Sequence, residues 1–195
     1  MTARSSSRRF ILGGLASLAA LSACSASPSP RLFTLTPRPA DPVGRFAGTI
    51  SVKRVALAKY LDRLQIVRSS ATYELSMSEF NLWAEDLTEM TTRVLITDLT
   101  ARLPGSQIYS DSSALNLPNA DVALEIDIDR FDLDPSGTVV LAGRWVAHRK
   151  GQTDPLRAAE LHVAAKLGDT TAQVAAMSDA LAQFATQIAT SLVAR

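Results

Sequence analysis

Three kinds of side chain in this chain could do chemistry: one thiol, Cys24; two imidazoles, His148 and His162; and an acidic series, Glu125, Asp127, Asp129, Asp132 and Asp134. The imidazoles have no second cysteine near them and no HExxH spacing, so a zinc site is not expected. The first carboxylates of the series alternate with Val122, Leu124, Ile126 and Ile128. That period-2 pattern is what the solvated face of a one-sided sheet requires, and it explains the acids better than a calcium or acid–base cluster does. GxGxxG, GxxxxGKS/T and GxSxG are absent from the sequence, so no nucleotide cradle or nucleophile elbow is expected. These residues predict no catalytic site, no metal and no cofactor. Lys and Arg total 20 against 19 Asp and Glu, and aromatics make up 6%. A net charge of +1 gives no basic field for phosphates, and so few rings give few stacking platforms for bases, which argues against a nucleic-acid partner.

Cys24 is different, because its position is informative. Met1 to Arg9 carries Arg4, Arg8 and Arg9 with no acid, and Phe10 to Leu21 is apolar apart from small residues. A basic segment followed by a short apolar run reads as an export signal, and the run is short for a permanent span of roughly 20 apolar residues. It ends in Leu21-Ser22-Ala23-Cys24, which resembles a bacterial lipobox, where a diacylglyceryl group alkylates the thiol and a peptidase cuts before it. The sole cysteine cannot form an internal disulfide. The reading is therefore a signal peptide over residues 1–23 and a lipidated amino terminus at Cys24. Ser7-Arg8-Arg9-Phe10-Ile11-Leu12 fits twin-arginine export, and the general secretory route stays open beside it. Residues 24–31, rich in serine and proline, form a flexible tether, and residues 32–195 form a single domain. Without the leader's three arginines the net charge is about −2.

The elements that must carry any site follow from periodicity. Alternation marks strands at Arg31–Leu35, Thr49–Leu57 and Leu64–Arg68, with a phase slip at Lys53-Arg54 that predicts a bulge or bend. Tyr60-Leu61-Asp62 reads as a turn, and Tyr73-Glu74-Leu75 as a short extended piece. Leu82–Leu103 predicts a helix on the stripe Trp83, Leu87, Met90, Val94, Leu95, Leu99 and Leu103, with Asn81 as its cap and Pro104-Gly105 as its stop. Asp121–Asp129, Val139–Val146 and Ala159–Leu167 predict a three-stranded meander, with a bulge near Arg130 where Phe131 and Leu133 change phase. Val174, Met177, Leu181, Phe184, Ile188 and Leu192 predict a second helix over 171–193, capped by Asp169 or Thr170 and packed on the sheet. The expected fold is an α/β (α+β) sandwich: a mixed or antiparallel sheet of about five strands carrying two main helices on one face. Leu87, Val94, Leu99, Leu181, Phe184 and Ile188 should be buried together.

Leu32-Phe33-Thr34-Leu35 soon after the lipobox, Tyr60-Leu61-Asp62-Arg63-Leu64-Gln65-Ile66-Val67, and Trp83-Ala84-Glu85-Asp86-Leu87 opening a long helix together resemble the ABC-type transport auxiliary lipoprotein family, which includes PqiC-like members. Gly143-Arg144-Trp145 and the Met177–Leu181 helix are similar too. Leu64 and Asp86 stand where the family pattern has proline, which bears on the local turn and the first helical turn. The resemblance implies a lipid-anchored protein of the cell envelope facing the periplasm, and Ser25 after the cysteine, in place of Asp, favours sorting to the outer membrane. It would be accessory to a lipid transport system with a mammalian-cell-entry (MCE) domain protein and separate permease and ATPase chains. Its role would be binding and docking, with homo-oligomers among its assemblies. The alternative is a structural envelope lipoprotein unrelated to lipid transport. Tyr60 and Arg63, residue types favoured in interface cores, are the candidate partner contact, against the plainer reading of an ordinary surface turn.

Overall fold

The computed structural model describes residues 29–71, 73–113 and 119–194. The expected signal peptide, residues 1–23, and Cys24 lie outside the described residues. The elements run β1 (Arg31–Phe33), β2 (Thr49–Val52), β3 (Ala56–Leu57), a 3-10 turn at Lys59–Leu61, β4 (Gln65–Ala71), β5 (Glu74–Trp83), α1 (Leu87–Arg102), β6 (Gln107–Ser110), β7 (Val122–Leu133), β8 (Thr138–Arg149), β9 (Gln152–Thr153), β10 (Arg157–Ala164) and α2 (Thr170–Val193).

The longest strands form the frame. β7, β8 and β10 make the expected antiparallel meander, with Val122 opposite Arg149 and Leu161 opposite Leu141. The register shifts between Ile128 and Arg130, where the sequence changes phase. The other edge of β7 takes three strands in succession, all parallel to it: β2 at Val122–Leu124, β3 at Asp127 and Ile128, and β4 at Leu133. The slip at Lys53-Arg54 is thus the step from one short strand to the next along a single long neighbour. β4 and β5 form an antiparallel hairpin, and β1 adds to β5 in parallel. The sheet is mixed and, among the described residues, holds ten strands where about five were expected. Two-, three- and four-residue pieces such as β1, β3, β6 and β9 pair without enough length to show a period.

The helices lie together on one face over a single hydrophobic cluster. Leu87, Val94, Leu99, Leu181, Phe184 and Ile188 all belong to it and are buried. The Trp145 ring meets Phe184 edge-on at 5.3 Å between centroids, and its indole N–H donates to Ser191 Oγ at 3.0 Å. α2 begins where expected, with the Asp169 carboxylate accepting from the Thr171 and Ala172 N–H groups.

The start of α1 differs from expectation. Leu82 and Trp83 belong to β5: the Trp83 N–H donates to the Leu64 carbonyl at 2.7 Å, and Ala84 N–H to the Phe33 carbonyl at 2.9 Å. Pairing on both sides holds these residues extended, so the helix waits for Asp86. Its carboxylate, not Asn81, caps the helix by accepting from the Glu89 N–H at 3.0 Å.

The proline-interrupted segment after β1 crosses the helix layer. Leu35 N–H contacts the Met90 sulfur, Thr36 N–H donates to Ser178 Oγ, Arg38 N–H to Asp98 and Val43 N–H to the Arg102 carbonyl. Prolines at 37, 39 and 42 keep this strap extended, while these four N–H groups find partners on the two helices.

Candidate partner-binding surface

The Tyr60–Arg63 turn stands on the face of the sheet opposite the helices. The Tyr60 ring is half-buried, and its hydroxyl donates to Asp132 Oδ2 at 2.6 Å. Asp132 Oδ1 accepts from Ser69 Oγ at 3.2 Å and from the Arg130 guanidinium at 3.2 and 3.3 Å. Turn, β4 and β7 are thereby tied through one carboxylate. Asp132 is itself buried, unlike the solvated acid expected at that position. It does point to the polar face, but Tyr60, Ser69 and Arg130 cover it there. Beside this cluster opens a groove of about 540 Å³, lined also by Ala71, Leu75, Asp129 and Pro135.

Burial, reinforced by the hydrogen bond to Asp132, pushes the Tyr60 phenol well above its ordinary 10.0. At neutral pH it is a fixed donor, not a nucleophile or base. Arg63 is exposed, rests its guanidinium on the Met77 sulfur at 2.8 Å, and has no carboxylate partner among the described residues. The two halves of the expected contact therefore do different work. Tyr60 fixes the turn, and Arg63 is the side chain the turn presents.

This gives a prediction. Tyr60→Phe keeps the ring but leaves Asp132 Oδ2 without its donor, and should cost about 1.5–3 kcal/mol at pH 7, as expected for a hydrogen bond to a charged group. A phenol whose pKa rises on folding contributes stability that is whole below pH 10 and is lost as pH rises above it. Urea unfolding from pH 8 to 11 should show this alkaline loss in the parent and less of it in Tyr60→Phe. Equal alkaline slopes would sink the assignment.

The rest of this sheet face is charged and internally paired. Lys53 binds Glu125 and holds it below the ordinary carboxylate range. Arg144 bridges Asp127 at 2.6 Å and Asp129 at 3.3 Å. His148 lies 3.6 Å from Glu125, and His162 lies 3.0 Å from Glu160. The acids at 125, 127 and 129 thus each meet a cation in a one-sided sheet, and the two imidazoles do not converge with each other. Sequence reasoning missed a different group, the exposed Leu75, Met77 and Phe80 of β5. The signal was the alternation of Tyr73, Leu75 and Met77 with Glu74, Ser76 and Ser78, which Phe80 breaks out of phase.

The family model for the ABC-type transport auxiliary lipoprotein component matches residues 33–189. The intermembrane transport lipoproteins PqiC of Escherichia coli (strain K12) and Shigella flexneri are each 26% identical over 101 residues. The match covers 52% of this chain and 52% of each of them, so the chain aligns with about half the length of these relatives. A crystal structure of an uncharacterized protein superposes with a TM-score of 0.72 at 21% identity, covering 85% of this chain and 99% of that one. A protein of Xanthomonas campestris superposes at 0.65 and 19% identity, covering 84% and 95%. These two structures share the fold. With the match spanning β1 to the last turns of α2, the chain belongs to the family of ABC-type transport auxiliary lipoprotein components.

Proposed function

We propose that the protein is a lipid-anchored periplasmic accessory subunit of an ABC transport system built around an MCE-domain protein, moving lipid between the inner and outer membranes. The observation that carries this reading is the family match across nearly the whole domain, and the printed name of the PqiC relatives, intermembrane transport lipoprotein, agrees with it. The chain's part is docking, without catalysis or a bound cofactor: permease and ATPase are separate chains, and Cys24 carries the acyl groups. Among the described residues no helix is long and apolar enough to cross a membrane. Buried acyl methylenes contribute about 0.8 kcal/mol each, so two or three chains suffice to hold the domain at the outer membrane.

The test is capture of the tagged full-length protein from cross-linked envelopes. The parent should bring down an MCE-domain protein. Arg63→Glu should reduce the yield about tenfold, equivalent to ~1.4 kcal/mol, with the fold intact because Arg63 is exposed. Cys24→Ala should leave a soluble or an uncleaved protein, and a processed variant still firmly in the membrane fraction would overturn the anchor. An unchanged yield with Arg63→Glu would remove the turn from the contact. Absence of any MCE-domain protein from the parent's capture would return the structural lipoprotein alternative.

A further inference from the structure

Most of the large apolar side chains left in solvent lie on or beside the β4–β5 hairpin, from its base to its tip. Leu32 of β1, Leu64 at the foot of β4, and Tyr73, Leu75, Met77 and Phe80 of the β4–β5 hairpin are all exposed, Tyr73 completely. Leu167 joins them from the loop entering α2, and Leu156 alone lies at the other end of the meander. The hairpin is firmly rooted, since Arg68 of β4 donates to Gln173 at 2.6 Å and to Thr170 at 2.7 Å, both in the first turn of α2. Beyond that root, β5 carries exposed residues from Glu74 to Met77, and β1 covers its outer edge only at Asn81–Trp83.

We propose that this hairpin is a membrane-contacting foot, its Tyr73 tip and the Leu75 and Met77 side chains resting in the headgroup layer of the bilayer that holds the acyl anchor. The proposal rests on the reading of Cys24 as the lipidated residue. Strand polarity supports it. β1 runs parallel to β5 with Arg31 beside Asn81, so the chain enters β1 from the side of the hairpin tip. Cys24 lies seven positions before Arg31, as Glu74 lies seven positions before Asn81. At roughly 3.3 Å per extended residue the tether reaches no more than about 23 Å from β1. The anchored end is therefore confined to the neighbourhood of the hairpin.

The chemistry also fits a lipid surface. Ser69, Ser70 and Ala71 before the tip are uncharged, and the hairpin from Gln65 to Trp83 carries only Arg68, Glu74 and Glu79, a net charge of −1. A tyrosine with its ring in the apolar layer and its hydroxyl in water suits the interface. The open backbone edge of β5 needs water and sets the depth: the side chains enter the headgroup boundary, but the strand stays out of the hydrocarbon. Contact by apolar burial with so little net charge should be insensitive to salt.

The lipidated full-length protein provides a clean probe. The chain has one cysteine, and its sulfur is capped by the anchor, so Tyr73→Cys introduces a single free thiol for an environment-sensitive fluorophore. In vesicles of phosphatidylethanolamine and phosphatidylglycerol, the label at 73 should shift to shorter wavelength. It should be quenched by nitroxide near the headgroup more than by nitroxide at the chain end, equally in low and high salt. A Leu156→Cys label on the same protein should stay in water. Protein that floats with the vesicles while its 73 label remains in water overturns the foot and leaves the anchor standing. Protein that does not float overturns the anchor, and the foot with it. Shielding that grows with protein concentration and persists in detergent without bilayer would assign the hairpin to a second copy and overturn the lipid contact.

Discussion

Phe184→Ala is expected to remove about 3–5 kcal/mol of stability, a large share of the roughly 5–15 kcal/mol that holds a domain of this kind together. Phe184 is fully buried at the centre of α2 and stands edge-on to Trp145 with the ring planes at 89°. β8 admits it so closely because position 143 is glycine: a Cβ there would lie 3.0 Å from Phe184 Cζ and 3.1 Å from the Asp127 carbonyl oxygen. Truncating the ring loses the burial, the aromatic contact and the fit to that glycine together. In a domain of this size, each kcal/mol shifts the midpoint by about 2–4 °C, so thermal unfolding should fall by roughly 6–20 °C. A double-mutant cycle sharpens the test. Gly143→Ala should be costly in the parent and less so with Phe184→Ala, because the ring it collides with is gone. Strict additivity would show that the helix is not seated on Gly143 as described.

The same α2 was legible from its sequence, and the reason shows what could and could not be read. Val174, Met177, Leu181, Phe184, Ile188 and Leu192 repeat at helical spacing because one stripe of a long helix faces one core. The strands of the meander alternate because they too are covered on one side. Even their irregularities left a trace, since the bulge at Arg130 reverses the phase of Phe131 and Leu133. β5 left a fainter one. Tyr73, Leu75 and Met77 alternate with Glu74, Ser76 and Ser78, but Glu74 to Met77 are exposed in succession, so the alternation marks no buried face, Phe80 breaks its phase, and only Tyr73 to Leu75 reads as extended. Trp83 misled for the opposite reason: an inward strand residue followed closely by an inward helix residue, Leu87, continues an apolar stripe across a boundary the chain marks only with Asp86. At the candidate contact, the residue types of Tyr60 and Arg63 were legible and their division of labour was not. Tyr60 is bound through Asp132, 72 residues away, and no local pattern encodes that bond.

The strap and the helices meet at a second place hidden from sequence periodicity, and there a single substitution should be as damaging as the loss of Phe184. Arg102, near the end of α1, is buried. It donates to Thr186 of α2 at 2.7 Å, to the Asp98 carbonyl at 2.8 Å, and lies 3.5 Å from the Asp98 carboxylate. Asp98 also accepts the Arg38 N–H of the strap at 2.9 Å, while its Oδ2 is buried with no hydrogen-bond partner among the described residues. Burial raises the Asp98 pKa above its ordinary 3.8, opposed by the Arg38 N–H and by Arg102. Arg102→Met keeps most of the volume but removes the cation, and should cost about 3–5 kcal/mol at pH 7, as expected when a buried pair loses one member. The sign with pH follows from the direction of the shift. Without Arg102 the Asp98 pKa rises further, so the folded state binds a proton that the unfolded state has released, and stability falls as pH rises from 3.8 through the folded value. The deficit of Arg102→Met should therefore be small near pH 4 and grow toward neutrality. Adding Asp98→Asn should recover much of it, because the amide oxygen still accepts from Arg38 and no charge is left buried. A deficit independent of pH, or no larger than that of exposed Arg93→Met, would mean that the ion pair is not what joins the strap to the two helices.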